Sequence, residues 1–268
     1  MYSKHPSIEV HLINNSRQML SDKILSFYKE LEIHNPLPKG ILVMNPYRDQ
    51  YTMDLCMKFY KKYYHDNSPR TLLLGINPGR FGSGKTGISF TDPTKLENEC
   101  GIQNNLTKKT ELSADFIYRM IITYGGPVAF YNKYFISSIS PLGFTKNGKN
   151  MNYYDDKHLE KSITSFAVES INKLLSIGME TQRCFCIGEG KNFKFLTQLN
   201  EKHRWFTKII PLAHPRYIMQ YQRKQLNKHI RMYLEKLNLY SQVGMCFSAI
   251  ISEYSICGNL REGIQNLL

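Results

Sequence analysis

The chain has 268 residues, 42% of them hydrophobic, enough to bury one large core or two small ones. Its 35 Lys+Arg against 22 Asp+Glu give a net charge of +13, which suits a polyanionic partner through attraction to phosphates and release of their counterions. No apolar run has the length of a membrane span, and the opening MYSKHPSIEVHL lacks the apolar stretch of a signal peptide, so a cytoplasmic protein without a membrane partner is expected.

In chain order, Ser21–Ile33 has the spacing of an amphipathic helix, with Ser21 as N-cap and Ile24, Leu25, Phe27, Tyr28 and Leu31 on one face. Asn35-Pro36-Leu37-Pro38 breaks it. Ile41–Met44 is a short strand, and 53–64 a second helix with a solvated lysine face. Thr71–Leu74 is an apolar run of the kind buried on both faces of a sheet. Residues 92–111 are polar and irregular. Ser113 is placed as the cap of a helix running to about Tyr124, and 134–140 is a second core strand.

Residues 146–156, rich in Asn and Gly, are expected to form a loop, and 157–177 is the clearest helix, with Leu159, Ile163, Phe166, Ile171 and Leu174 at helical spacing. Arg183–Gly188 and Thr207–Ala213 are strands three and four, with a helix at 190–199 between them and another at about 222–237. Strands alternating with helices predict a three-layer α/β/α sandwich around a mostly parallel four-stranded sheet. It would span residues 1–239, leaving 240–268 as an extension of no evident role. The six Cys show neither a C-x-x-C pair nor metal-ligand spacing with His. Reduced thiols, no metal and no cofactor are expected.

The chain is organised around 71–90, TLLLGINPGRFGSGKTGISF. Glycines crowd behind the strand, so the loop there takes conformations closed to other residues or lies close against something else. Gly79–Thr86 fits the phosphate-binding pattern G-x-x-x-x-G-K-[ST] at every position. That chemistry also requires the loop to follow the strand directly and to open a helix. Here Asn77-Pro78 intervenes, and Gly87-Ile88-Ser89-Phe90-Thr91-Asp92-Pro93 is a poor helix start. A P-loop nucleotide-binding protein is therefore the runner-up reading.

In a parallel sheet the carboxyl ends of the strands share one edge, where such sheets bind ligands. That edge brings together Asn77, Phe90, Ser138 and His214 and offers no nucleophile, paired carboxylates or metal set. Gly75-Ile76-Asn77-Pro78-Gly79-Arg80-Phe81-Gly82, then Thr86-Gly87 and Phe90, then His214-Pro215 after an apolar strand, resemble the uracil-DNA glycosylase superfamily. Within it they are most similar to the single-strand-selective monofunctional branch and its bacterial second subfamily. Asn45-Pro46 and 138–142 fit as well, so the resemblance covers about residues 22–239.

The resemblance implies hydrolysis of the N-glycosidic bond of uracil in DNA by a monomeric base-excision-repair enzyme. Asn77 would position the water and His214 would donate to the departing base, as the catalytic pair. Ile76, Pro78, Gly79, Phe81, Gly87, Phe90 and Ser138 would contact the flipped base, with Phe90 as its stacking face. Lys146, Lys149, Arg216, Tyr217 and Met219 would meet DNA, one of the last three as the wedge that fills the vacated stack. Two positions depart from the family. Ser138 stands where an Asn usually reads the Watson–Crick edge, which widens the substrates to xanthine or hypoxanthine. Arg216–Tyr221 replaces the usual Ser-Pro-Arg wedge segment. A DNA-binding module without catalysis is the third reading.

Overall fold

The structure is a computed structural model and describes residues 18–237. The proposed C-terminal extension lies outside the described residues. The elements are α1 (Leu20–Lys29), β1 (Ile41–Met44), α2 (Gln50–Tyr63), β2 (Arg70–Gly75), α3 (Ser83–Thr86), α4 (Pro93–Asn98), α5 (Leu112–Tyr124), α6 (Gly126–Tyr131), β3 (Tyr134–Ser138), β4 (Gly143–Lys146), β5 (Lys149–Met151), α7 (Lys157–Ser176), β6 (Met179–Ile187), α8 (Lys191–His203), β7 (Lys208–Leu212), α9 (Pro215–Tyr221) and α10 (Leu226–Lys236).

The main sheet has four strands in the order β3-β2-β6-β7, with every pairing parallel. Each residue of β2 and β3 is buried, which is why each carries a continuous apolar run, 72–74 and 134–136, rather than an alternating pattern. From β2 the chain moves outward to β3; from β6 it moves outward to β7 on the other side. Right-handed crossovers in opposite directions put their helices on opposite faces, giving the α/β sandwich. They also draw the loops apart and leave a crevice at the carboxyl ends.

The strand β2 begins on a fully buried Arg70. Its guanidinium is satisfied by Asp66 at 2.6 Å, the Tyr131 carbonyl at 2.8 Å and the Ser68 carbonyl at 2.6 Å. A buried charge is tolerable only when its donors are matched in this way. Beside the sheet, α1 and α2 pack through tyrosines: Tyr28 stacks on Tyr47 at 4.5 Å and on Tyr60 at 5.6 Å between ring centroids.

Several local expectations are corrected. Ser21 is not a cap; Met19 holds that position, and the Ser21 hydroxyl is buried inside the first turn without a partner. Glu111, not Ser113, stands at the N-cap of α5. The irregular 92–111 segment contains α4, capped by the Asp92 side chain on the Lys95 N–H at 2.8 Å. The largest difference is at 146–156. Instead of one loop, β4 and β5 form an antiparallel hairpin with Lys146 opposite Lys149, and β1 pairs with β4 to make a second, three-stranded sheet. The Asn147-Gly148 turn has φ of 50° and 69°, the left-handed pair that a two-residue hairpin favours. Likewise 215–221, expected as loop, is the helix α9, started by Pro215 at its first position.

Candidate active site

The crevice holds a cavity of ≈ 720 Å³. Asn77 reaches it from the loop after β2, Ser138 from the end of β3, and His214 from the residues after β7. Ile76, Pro78, Gly79, Phe81 and Phe90 also line it. Eleven of the residues expected at the site from sequence therefore converge there once Lys149, Arg216 and Tyr217 are added.

Asn77 is the residue most constrained by its surroundings. Its Oδ1 accepts from the Tyr153 N–H at 3.0 Å, and its Nδ2 donates to the Met151 carbonyl at 3.2 Å. One partner can only donate and the other only accept, so the two bonds fix which way the amide faces. Nδ2 also donates to the Pro78 carbonyl at 3.4 Å, so it is one lone pair of Oδ1 that remains for a substrate or water.

His214 caps α9, and its Nδ1 accepts from the Arg216 N–H at 3.2 Å. With Nδ1 as acceptor, the neutral ring carries its proton on Nε2 and offers it outward. Burial, then the charge of Arg216, lowers the His214 pKa from 6.5 to about 4, so the ring is a neutral donor at physiological pH. Just before it, the Ala213 carbonyl is held by the Tyr233 hydroxyl.

Phe90 sits 6.2 Å from the His214 ring, centroid to centroid. It adopts φ of 53°, a left-handed conformation that costs a bulky residue about 1–3 kcal/mol. Its ring lies across Gly75, where a Cβ would come within 2.8 Å of Phe90 Cε2. Glycine at the end of β2 is thus what lets an aromatic face form the floor.

The phosphate-loop pattern has a different structural use. The N–H groups of Gly84, Lys85 and Thr86 all bond within the turn, to the Gly79 and Gly82 carbonyls. The fully buried Thr86 hydroxyl donates to the Thr91 carbonyl at 2.6 Å. The lone helical turn α3 stops at Gly87. The backbone donors of residues 84–86 and the Thr86 hydroxyl are therefore spent inside the turn.

Three expected contacts fall elsewhere. Gly87 faces α2: at φ of 70°, a Cβ there would lie 2.4 Å from Cys56 Sγ, so this glycine serves packing and not the base. Met219 is 3% exposed on the inner side of α9, which removes it as a wedge. On the outer side Tyr217 and Tyr221 are 50% and 66% exposed, at the cavity edge. Lys146 projects beyond the cavity wall at the end of β4, while Lys149 lines it.

Other residues at the site carry weaker sequence signals. Arg80 donates its N–H to Asn150 Oδ1 at 3.3 Å, and its guanidinium lies 4.5 Å from the Phe81 ring. Lys109 covers the same ring at 3.7 Å. Recognising Asn147-Gly148 as a hairpin turn would have brought Asn150 to the wall. Nothing local marks Lys109 or Glu111, which arrive from a separate segment.

A sheet of this topology, with a donor-lined, aromatic-floored cavity at its carboxyl edge and basic side chains around it, has the features that a single base taken out of a polyanionic strand would need. Residues 61–238 match the model of the Uracil DNA glycosylase superfamily. The crystal structure of wild-type Pedobacter heparinus SMUG2 is similar, with 46% identity, a TM-score of 0.81, and coverage of 84% of this chain and 99% of that one. Among curated proteins, none matches. The chain belongs to the uracil DNA glycosylase superfamily, which makes it a hydrolase of the DNA glycosylase class and a protein of base-excision repair.

Proposed function

We propose that the protein is a monofunctional glycosylase that hydrolyses the N-glycosidic bond of uracil, and of other deaminated bases such as xanthine or hypoxanthine, in DNA. One observation carries this reading: an oriented amide, a neutral imidazole donor and an aromatic floor meet in one cavity.

The flipped base stacks on Phe90. Asn77 holds water beside the sugar through its free Oδ1 lone pair. An amide is not a general base, so the water is positioned rather than deprotonated, and the barrier falls by stabilising charge. As the glycosidic bond breaks, an oxocarbenium-like sugar and a base anion develop, and His214 Nε2–H donates to a carbonyl oxygen of the base. Such a donor lowers a barrier by about 3–4 kcal/mol when water is excluded. A lysine nucleophile plays no part, so the product is an intact abasic site.

Ser138 faces the base in place of an amide. A hydroxyl rotates to donate or accept and so does not impose the pattern of one base, which is the reason for extending the substrates beyond uracil. Lys149, Arg216 and Arg80 edge the cavity with positive charge for the flanking phosphates. Tyr217, the exposed aromatic next to Arg216, is the wedge.

The test uses labelled oligonucleotides, each with one uracil, xanthine or hypoxanthine, without added metal or nucleotide, and reveals abasic sites by alkali. Cleavage at uracil and at one purine product is expected. Binding without cleavage at any of the three would reduce the protein to a DNA-binding module.

A further inference from the structure

Among the described residues, Glu111 is the only carboxylate on the cavity wall. It shares that wall with Arg80, Lys149 and Arg216, a setting suited to phosphates, in which an anion works against binding.

The placement of Glu111 is specific. Its backbone N–H donates to Asp92 Oδ2 at 2.9 Å. Asp92 is fully buried and also caps α4, so it is a rigid anchor. From that point the Glu111 side chain reaches under the glycine turn that follows Asn77-Pro78. A Cβ built on Gly79 would lie 3.1 Å from Glu111 Oε1, and one on Gly82 would lie 2.3 Å from Oε2. Any residue but glycine at 82 would displace the carboxylate.

The energetics set it apart from a structural carboxylate. Burial raises the Glu111 pKa, as does the charge of Asp92; the N–H groups of Gly82 and Phe81 and the charge of Arg216 act in the opposite direction without cancelling the rise. A raised carboxyl contributes stability below the unfolded glutamate range and loses it as pH rises through the raised value. The charged form of Glu111 is therefore carried by the fold at a cost. Residues retained at a cost to folding, inside a cavity, are characteristic of function.

We infer that Glu111 is a positioning residue of the glycosylase site: its carboxylate, lying against the Gly79 and Gly82 backbone, fixes the Gly79–Gly82 turn and with it the Asn77-Pro78 step that presents the water. The inference rests on the glycosylase reading for its catalytic consequence. The charged groups that act on Glu111 are Asp92 and Arg216, with the neutral Phe81 and Gly82 N–H groups beside them; Lys109 and Arg80 flank the loop on Phe81.

The test compares wild type with Glu111→Gln, which keeps the shape but removes the charge, and with Glu111→Asp, which keeps the charge but shortens the reach. Thermal midpoint, kcat and KM on a uracil oligonucleotide, and the Gly82 amide proton shift of glycine-labelled protein are followed against pH. Glu111→Gln should melt no lower than wild type at neutral pH yet excise roughly tenfold more slowly through kcat, since small misplacements of reacting groups cost rates of this order. The Gly82 resonance should titrate in wild type and lose that titration in Glu111→Gln. Glu111→Asp should recover part of the rate. Wild-type kcat in Glu111→Gln, or a fall in kcat that follows a fall in melting temperature, would overturn the inference. If wild type excises nothing, the glycosylase reading fails on its own, and a Gly82 shift that does not titrate in wild type would still reject the anchor.

Discussion

Asn77 and His214 face one cavity but are oriented by opposite means. His214 is held by its own helix: its partner is the amide two residues on, and Pro215 starts the turn that supplies it. Asn77 is held by Met151 and Tyr153, 74 and 76 residues away, at the end of a hairpin in the second sheet. One side of the site is built by local chain geometry, the other by tertiary assembly. A local device survives damage elsewhere, whereas a tertiary one transmits it.

The largest effect expected is on excision itself. Asn77→Ala and His214→Ala should each lower kcat by about 10²–10³, the range for removing one preorganised group, measured in single turnover on a uracil oligonucleotide. Stability should separate them. Asn77→Ala strands a carbonyl and an amide of the hairpin and should cost about 1–3 kcal/mol. His214→Ala leaves only an exposed cap amide and should cost about 0.5–2 kcal/mol. Equal stability losses would erase the distinction.

The pH dependence follows from His214. Between pH 6.5 and about 4 the unfolded chain takes up a proton on this ring that the folded chain refuses. Stability supplied by the neutral ring is therefore present above the unfolded value and falls as pH drops through that window. His214→Ala should flatten this part of the melting-temperature profile, and wild-type excision should keep its donor in the correct form down to about pH 4.

The two sides of α9 make the same contrast in miniature. Met219→Ala should cost about 2–5 kcal/mol of stability by opening a core cavity. Tyr217→Ala should leave the melting temperature in place and weaken DNA engagement by about 1–3 kcal/mol, the usual loss of one stacking aromatic. Titration with an abasic-site oligonucleotide reads the second effect. A DNA-binding defect in Met219→Ala at temperatures where it is folded would reverse the assignment.

The smallest effects probe the links. Gly148→Val, which forces a branched residue into φ of 69°, should cost about 1–2 kcal/mol and slow excision modestly, because the strained turn leads into the strand that holds Asn77. Lys85→Ala, at an exposed position on α3, should change neither stability nor excision; a loss of function there would revive the nucleotide-binding reading.

The main sheet was legible because burial on both faces leaves continuous apolar runs in the sequence, as in 71–74 and 183–188, and amphipathic helices leave a period, as in 157–177. The loops after those strands were legible as a site because Asn77 and His214 follow strand ends, with Phe90 later in the same connection as Asn77, and a parallel sheet must bring those ends to one edge. The second half of the hairpin, from 146 on, is polar and its signal lies in two turn residues, so 146–156 read as loop. Glu111 carries no local signal: its role exists only because Asp92 and the glycine turn enclose it. Sequence by itself determined which segments are buried and which strand ends carry chemistry, since both follow from local composition and spacing. Tertiary structure alone decided how Asn77 is clamped, which face of α9 meets solvent, and that a carboxylate lies beneath the glycine turn, because each depends on contacts between segments far apart in the chain.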